Sequence, residues 1–135
     1  AIALPLYQNY IASSQVTRVV GETGSLKTVV ETCMLNGRTT VGTNAGNCQL
    51  GATQSNLMTA IPVVTMNADN TASIVGTFGG SAATAVATKT VTWARAADGS
   101  WTCSTNVDDK YKPVGCTATA PTSTPPTPPT PPAGG

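Results

Sequence analysis

Four cysteines are the residues best placed to do chemistry in this 135-residue chain, which contains no histidine. They fall into two pairs, Cys33 with Cys48 and Cys103 with Cys116, with 14 and 12 residues between the partners. A zinc site built from four thiolates draws on close C-x2-C pairs, and neither spacing supplies one. As disulfides, three pairings are formally open, and nearness in sequence favours the two local ones. Each local bridge would close a loop that restricts the unfolded chain by roughly 3 kcal/mol. Disulfides in turn imply an oxidising compartment, the periplasm or beyond.

The remaining chemistry is sparse. Without histidine, the commonest general base and metal ligand is missing. Asp108-Asp109 is the one adjacent acidic pair. Neighbouring side chains of an extended segment point apart, so the pair reads as solvated loop charge. No glycine-rich phosphate cradle precedes a helix. The sequence therefore predicts a non-enzyme that uses no cofactor and no metal. Seven basic residues against six acidic ones give no concentrated basic patch for nucleic acid. Charged residues are only 10% of the chain, a surface suited to packing against copies of itself or to life outside the cell.

The elements that must position these cysteines divide the chain into four stretches. Residues 1–35 read as an N-terminal helix, because Val16, Val19, Thr23, Leu26, Val30 and Cys33 recur at helical spacing. Arg18 with Glu22 and Lys27 with Glu31 stand at the (i, i+4) spacing of weak ion pairs. Gly21 and Gly24 each weaken the helix by roughly 1 kcal/mol relative to alanine, which suggests close approach by the sheet or by another subunit. Pro5 would bend the helix, and Asn36-Gly37 would end it, the glycine forming a left-handed cap.

Residues 36–57 read as a loop pinned by the first cysteine pair. Residues 58–116 read as antiparallel strands and a terminal cysteine loop. The first strand spans Met58–Met66, bulged or at an edge because of Pro62, and Asn67–Asn70 is a turn. Thr71–Phe78 alternates, with Ala72, Ile74, Gly76 and Phe78 on one face. Gly79-Gly80-Ser81 reads as a flexible connection into a strand over Val86–Arg95, with Val91 and Trp93 on one side. Asp98-Gly99 turns that strand into Trp101-Thr102-Cys103. The layout is α+β: a long N-terminal helix packed on a roughly four-stranded antiparallel sheet. Residues 117–135 hold seven prolines and seven Ser/Thr residues, an extended, polyproline-like and mobile tail. Thr122, Ser123, Thr124, Thr127 and Thr130 are candidate O-glycosylation sites, as in mucin-like stalks; an unmodified hydrated spacer is the equal alternative.

Two stretches carry a family resemblance. The first is Ala1-Ile-Ala-Leu-Pro-Leu-Tyr-Gln-Asn-Tyr-Ile-Ala12, which leads an apolar run into a polar helix. The second runs from Trp101-Thr-Cys103 through Lys110-Tyr111-Lys112-Pro113-Val114-Gly115 to Cys116. Together they resemble the type IV pilins of Gram-negative bacteria, here a type IVa major subunit. The resemblance implies the pilin fold, the two local disulfides and a long apolar helical segment ahead of Ala1 that is expected to be missing here. Ala1–Leu6 alone is far short of the roughly 20 apolar residues that span a bilayer. In the cell the apolar segment would anchor the subunit in the inner membrane before the pilus assembly machinery polymerises it with its own copies.

The resemblance further implies an extracellular, cell-surface filament serving surface attachment, twitching motility, biofilm formation and, in some members, DNA uptake. Pro5, Tyr7 and Tyr10 would serve the helix kink and filament packing. Lys110, Tyr111 and Lys112 form a candidate surface-binding loop for host glycans or abiotic surfaces, unless the loop only staples the last strand to the sheet. The Cys33–Cys48 pair and the proline-rich tail depart from the commonest pattern and leave the subtype open. Rival readings are a minor pilin or type II secretion pseudopilin, and a secreted carbohydrate-binding module using Tyr111 and the two tryptophans as a stacking platform.

Overall fold

Val16, Val19, Thr23, Leu26, Val30 and Cys33 are all buried, and the helix that aligns them is present. In the computed structural model, which describes residues 4–117, it forms two abutting pieces, α1 (Leu4–Gly24) and α2 (Leu26–Leu35). The single helix expected from the sequence is thus interrupted at Ser25, though only slightly. Ser25 keeps helical dihedrals (φ −65°, ψ −19°), and its amide still donates to the Gly21 carbonyl at 3.0 Å. The cause is local: the Thr23 hydroxyl donates to the Val19 carbonyl at 2.8 Å and the Ser25 hydroxyl to that of Glu22 at 2.7 Å. Such back-bonding bends helices. At the far end Gly37 takes φ +73°, the Gly37 amide donates to Met34 and the Arg38 amide to Cys33, which satisfies the last carbonyls in a Schellman cap. Pro5 lies in the first described turn, with no described helix before it to bend.

The sheet is an antiparallel meander in the order β1 (Val63–Met66), β2 (Ala72–Thr77), β3 (Thr90–Arg95), β4 (Trp101–Thr105). Its register aligns Val64, Ile74, Trp93 and Cys103 in one row and Gly76, Val91 and Thr105 in another. These rows lie beneath the helices. Two strands are shorter than the alternation suggests. β1 begins only after Pro62, and Met58 makes a lone bridge to Phe78. β3 begins at Thr90 because residues 86–89 turn, with Thr88 at φ +69° and the Lys89 amide bonded to the Val86 carbonyl. Val86 is instead a buried plug. The Gly79–Ser81 connection is also fastened, its amides donating to Leu57 at 3.0 Å and Asn56 at 2.8 Å.

Two apolar clusters form the core. One joins Ala12, Val16 and Val19 to Met58, Phe78, Val86, Val91 and Tyr111. The other joins Leu26, Val30 and the Cys33–Cys48 bridge to Met66, Ala72 and Ile74. Trp93 borders both. Its indole lies where α1 passes into α2: a Cβ on Gly24 would stand 3.2 Å from the ring. The Trp93 Nε1–H donates to the Val20 carbonyl and to Thr23 Oγ1. The close approach inferred for Gly24 is therefore made by the sheet. Gly21 has nothing within 4 Å.

The expected ion pairs divide. Arg18 and Glu22 meet at 3.2 Å. Lys27 does not pair with Glu31; its ammonium sits 3.8 Å from the centroid of Trp93, while Glu31 reaches Arg95. An aromatic face near the sheet offers the lysine a cation–π partner, and the guanidinium offers the carboxylate a bidentate one.

Gly76 faces the helix, and a Cβ there would meet Thr23 Cγ2 at 2.7 Å and Met58 Sδ at 2.9 Å. Gly76→Ala is expected to lower stability by about 1–3 kcal/mol through overpacking. Gly21→Ala, with open space around it, is expected to raise stability by about 1 kcal/mol. Urea denaturation of the two variants checks the pair; shifts of the same sign would refute the packing described here.

Candidate functional site

The terminal disulfide loop is built outward from β4. Thr105 Oγ1 donates to the Thr90 carbonyl at 2.7 Å, and Asn106 Oδ1 accepts from the Thr90 amide at 2.8 Å. Val107 is buried beneath the turn. Asp108 then caps a single 3-10 turn, Asp109–Tyr111, by accepting from the Lys110 amide. The Cys103–Cys116 bridge closes the loop back onto β4.

Within this loop the three residues singled out from sequence part company. Tyr111 is buried, packs in the core with α1 and donates its hydroxyl to Asn9 Oδ1 at 3.3 Å. It is a structural residue and is not displayed to a partner, which corrects its place in a surface-binding trio. The sequence could not distinguish the two roles because a tyrosine between lysines fits either. Lys110 is exposed and lies 5.3 Å from the Tyr111 ring centroid. Lys112 is half-buried and pairs with Asp109 at 3.2 Å. The acidic pair is divided between a cap and this ion pair and does not form a shared site. Among the described residues no group of three or more Cys, Asp or Glu side chains is placed to hold a metal.

A second polar constellation ties the sheet to α2. Glu31 Oε1 accepts from Arg95 Nε at 2.6 Å and from Trp101 Nε1 at 2.8 Å, and Oε2 accepts from Arg95 Nη2 at 3.3 Å. Arg95 also donates to the Asn70 carbonyl. The guanidinium hydrogen bonds hold the Glu31 carboxyl below its ordinary value of 4.5, with the indole N–H adding to them and partial burial opposing them. The turn aspartates are lowered more locally, Asp69 by the Thr71 hydroxyl and Asp98 by the Ser100 amide. Sequence reasoning missed this constellation because it assigned Glu31 to Lys27; the signal was Arg95 and Trp101 flanking one hairpin.

On the outer side of the helices Tyr10, Ser14, Thr17, Gly21, Ser25, Thr28 and Thr32 are exposed at successive helical turns. This uncharged stripe lies opposite the buried one. Ser14, Thr17, Ser25 and Thr32 turn their hydroxyl hydrogens back onto helix carbonyls, which leaves a surface with few free donors. The side chain of Tyr7 lies outside the described ones, as do Thr122, Ser123, Thr124, Thr127 and Thr130. No described helix is long and apolar enough to cross a membrane.

A helix pair laid over a four-stranded meander, one disulfide at the helix end and another closing a loop on the last strand, defines a non-catalytic subunit that offers a helix face and a stapled loop. Comparison with known proteins gives the same class. Residues 12–117 match the pilin family, described as pilin (bacterial filament). The type IV major fimbrial protein FimA of Dichelobacter nodosus is 43% identical over 134 residues, covering 86% of this chain and 83% of that one. A probable minor fimbrial protein of the same organism is 36% identical over 130 residues, covering 86% and 82% respectively. The crystal structure of a Cs1 pilin chimera has the same fold, with a TM-score of 0.69 at 23% identity over 81% of this chain and 98% of that one. The chain belongs to the pilin family: it is a type IV pilin, a self-associating structural subunit of a surface pilus.

The Glu31 linkage has a definite sign. A carboxyl whose folded pKa is depressed contributes stability above its unfolded value, and that contribution is lost as pH falls through the folded value. Wild-type stability is expected to decline as pH drops below 4.5, and Glu31→Gln is expected to be less stable at neutral pH with a flatter acid limb. Thermal melts at a series of pH values check this; parallel curves for the two proteins would exclude the linkage.

Proposed function

We propose that the chain is a major subunit of a type IV pilus and that the filament serves surface attachment, twitching motility and biofilm formation, with DNA uptake where the host is competent. The observation that carries the reading is the uncharged exposed stripe on α1 and α2, set opposite the stripe that binds the sheet. Small, back-bonded side chains let a second helix approach closely, and a filament core requires such approach. Greater identity to the major fimbrial relative, 43% against 36% for the minor one, favours the major subunit over a minor pilin or pseudopilin. Tyr10, exposed at the start of the stripe, joins Pro5 and Tyr7 as the residues assigned to filament packing. Membrane anchoring before assembly, through an apolar helix ahead of Ala1, and handling by the pilus assembly machinery belong to the same proposal; the start of the host reading frame tests the anchor.

A carbohydrate-binding module is a poor second reading for a physical reason. Tyr111 is buried, and both tryptophans are half-buried with their N–H groups bonded to the helices. No flat aromatic platform is left among the described residues. Attachment is assigned instead to the disulfide loop through Lys110 and, secondarily, Lys112. Glycosylation of the Pro/Thr tail would add a hydrated coat, and intact-mass measurement of protein from the native host decides it.

Lys110→Ala with Lys112→Ala is expected to leave filament yield unchanged while attachment to glycans or abiotic surfaces falls severalfold. Counting adherent cells beside sheared pili separates the two quantities. Full attachment by normal pili would remove the loop from the binding role, and loss of the chain from sheared filaments altogether would remove the subunit reading.

A further inference from the structure

The fold leaves one apolar groove and one apolar projection uncovered, on opposite sides of the sheet. The groove runs beside β1 and is lined by Val41, Leu50, Ile61, Pro62, Val63 and Val64 around a volume of about 450 Å³. No charged side chain lines it. Val63 is 65% exposed, and Ile61 and Val41 are exposed beside it. Contiguous apolar surface of this kind marks a protein contact, whereas scattered exposed residues are ordinary. Strand addition is a weak use of this edge, because β1 is only four residues long and Pro62 lacks an amide donor. The contact must come from side chains.

The projection is the tip of the terminal disulfide loop. Val114 is 96% exposed between Pro113 and Gly115, in a turn closed by the Cys116 amide donating to the Pro113 carbonyl at 3.0 Å. The adjacent bridge to Cys103 fixes the turn, so seating it elsewhere costs little ordering entropy. Leu35 is also exposed, but it ends α2, which packs over β1 and β2 and so belongs to the groove's half of the molecule.

We propose that neighbouring copies of this chain join through a knob-and-groove contact in which the Pro113-Val114 tip of one copy seats in the Val41/Ile61/Val63 groove of the next. The inference rests on the reading of the chain as a filament subunit and specifies the contact between its globular parts. Both surfaces are apolar and uncharged, so neither leaves a charge buried. They belong to the two outermost strands, since the groove flanks β1 and the knob is bridged to β4. One copy cannot satisfy its own groove, and two copies using unlike surfaces make a heterologous contact. Such contacts propagate into an open helical filament unless the rotation closes a ring. Each copy then offers one free knob and one free groove, as growth of a fibre demands.

The test introduces Val63→Asp and Val114→Asp separately into the full chain in the native host and measures pilin in sheared filaments. Both sites are exposed, and unchanged melting temperatures of the purified variants establish that each folds. Each single variant is expected to lower filament yield about tenfold, the scale of losing one central apolar contact. The double variant Val63→Lys with Val114→Asp, which places opposite charges across the contact, is expected to recover yield relative to either aspartate variant. Wild-type yields from both single variants would overturn the contact while leaving the subunit reading intact. Loss in the single variants without recovery in the charge pair would also overturn it. Absence of the wild-type chain from sheared filaments would instead defeat the underlying reading.

Discussion

The structure depends on one close approach, that of the Trp93 indole to the backbone notch at Gly24. Helix and sheet have to meet across their whole length, yet the apolar stripe on the helices changes partners halfway along. Val16 and Val19 pack with Phe78 and Val91, whereas Leu26 and Val30 pack with Ile74 and Ala72. Trp93 stands at the seam and touches both sets. Only a residue without a side chain lets the ring lie this near the helix axis, and the ring's N–H then finds the Val20 carbonyl and the Thr23 hydroxyl. The same Thr23 hydroxyl bonds to Val19. The shallow break at Ser25 is thus located where the sheet needs it.

Around this seam the two disulfides act at the two ends of the core. Cys33–Cys48 joins the end of α2 to the long loop and is itself part of the cluster under α2. Cys103–Cys116 joins β4 to the terminal loop and is part of the cluster under α1. Each bridge therefore lowers the entropy of the unfolded chain and also supplies apolar contact in the folded one. For a core made chiefly of Val, Ala, Thr and Met, with Phe78 its largest fully buried side chain, both effects matter. A small core yields modest burial free energy, and the bridges make up the difference at the places where the chain is least regular.

Much of this was legible in the sequence because its signals were periodic. The helical stripe from Val16 to Cys33 and the alternation of Ala72, Ile74 and Gly76 both report burial directly, and the structure buries Ala72 and Ile74. The Asp98-Gly99 turn places Gly99 at φ +96° between β3 and β4. What escaped was decided by tertiary contact. The helix break follows from Trp93 and Thr23. The partners of Lys27 and Glu31 lie on the sheet, 66 and 64 residues from them in sequence for Trp93 and Arg95 respectively. The burial of Tyr111 depends on Asn9, which lies 102 residues away. Local spacing carries no information about such pairings. The terminal loop could be recognised as a feature while the role of its central residue could not.

The division of the helix into two opposed faces constrains how such a chain can vary. The inner face is fixed by the seam at Gly24 and by the two clusters. The outer face, from Tyr10 to Thr32, must remain free of charge and bulk if other helices are to lie against it. A substitution on α1 or α2 therefore disturbs either the subunit or its assembly. The loops are under a different constraint. Residues 38–57 and 106–115 hang between disulfides and strands, and lengthening a closed loop costs only about 0.6 kcal/mol per doubling. Their exposed side chains can change with little effect on the core, provided that the anchoring groups Val107 and Tyr111 stay buried. Recognition of surfaces is consequently free to diversify on the loops, while the helix and the sheet row through Trp93 hold the subunit to one shape.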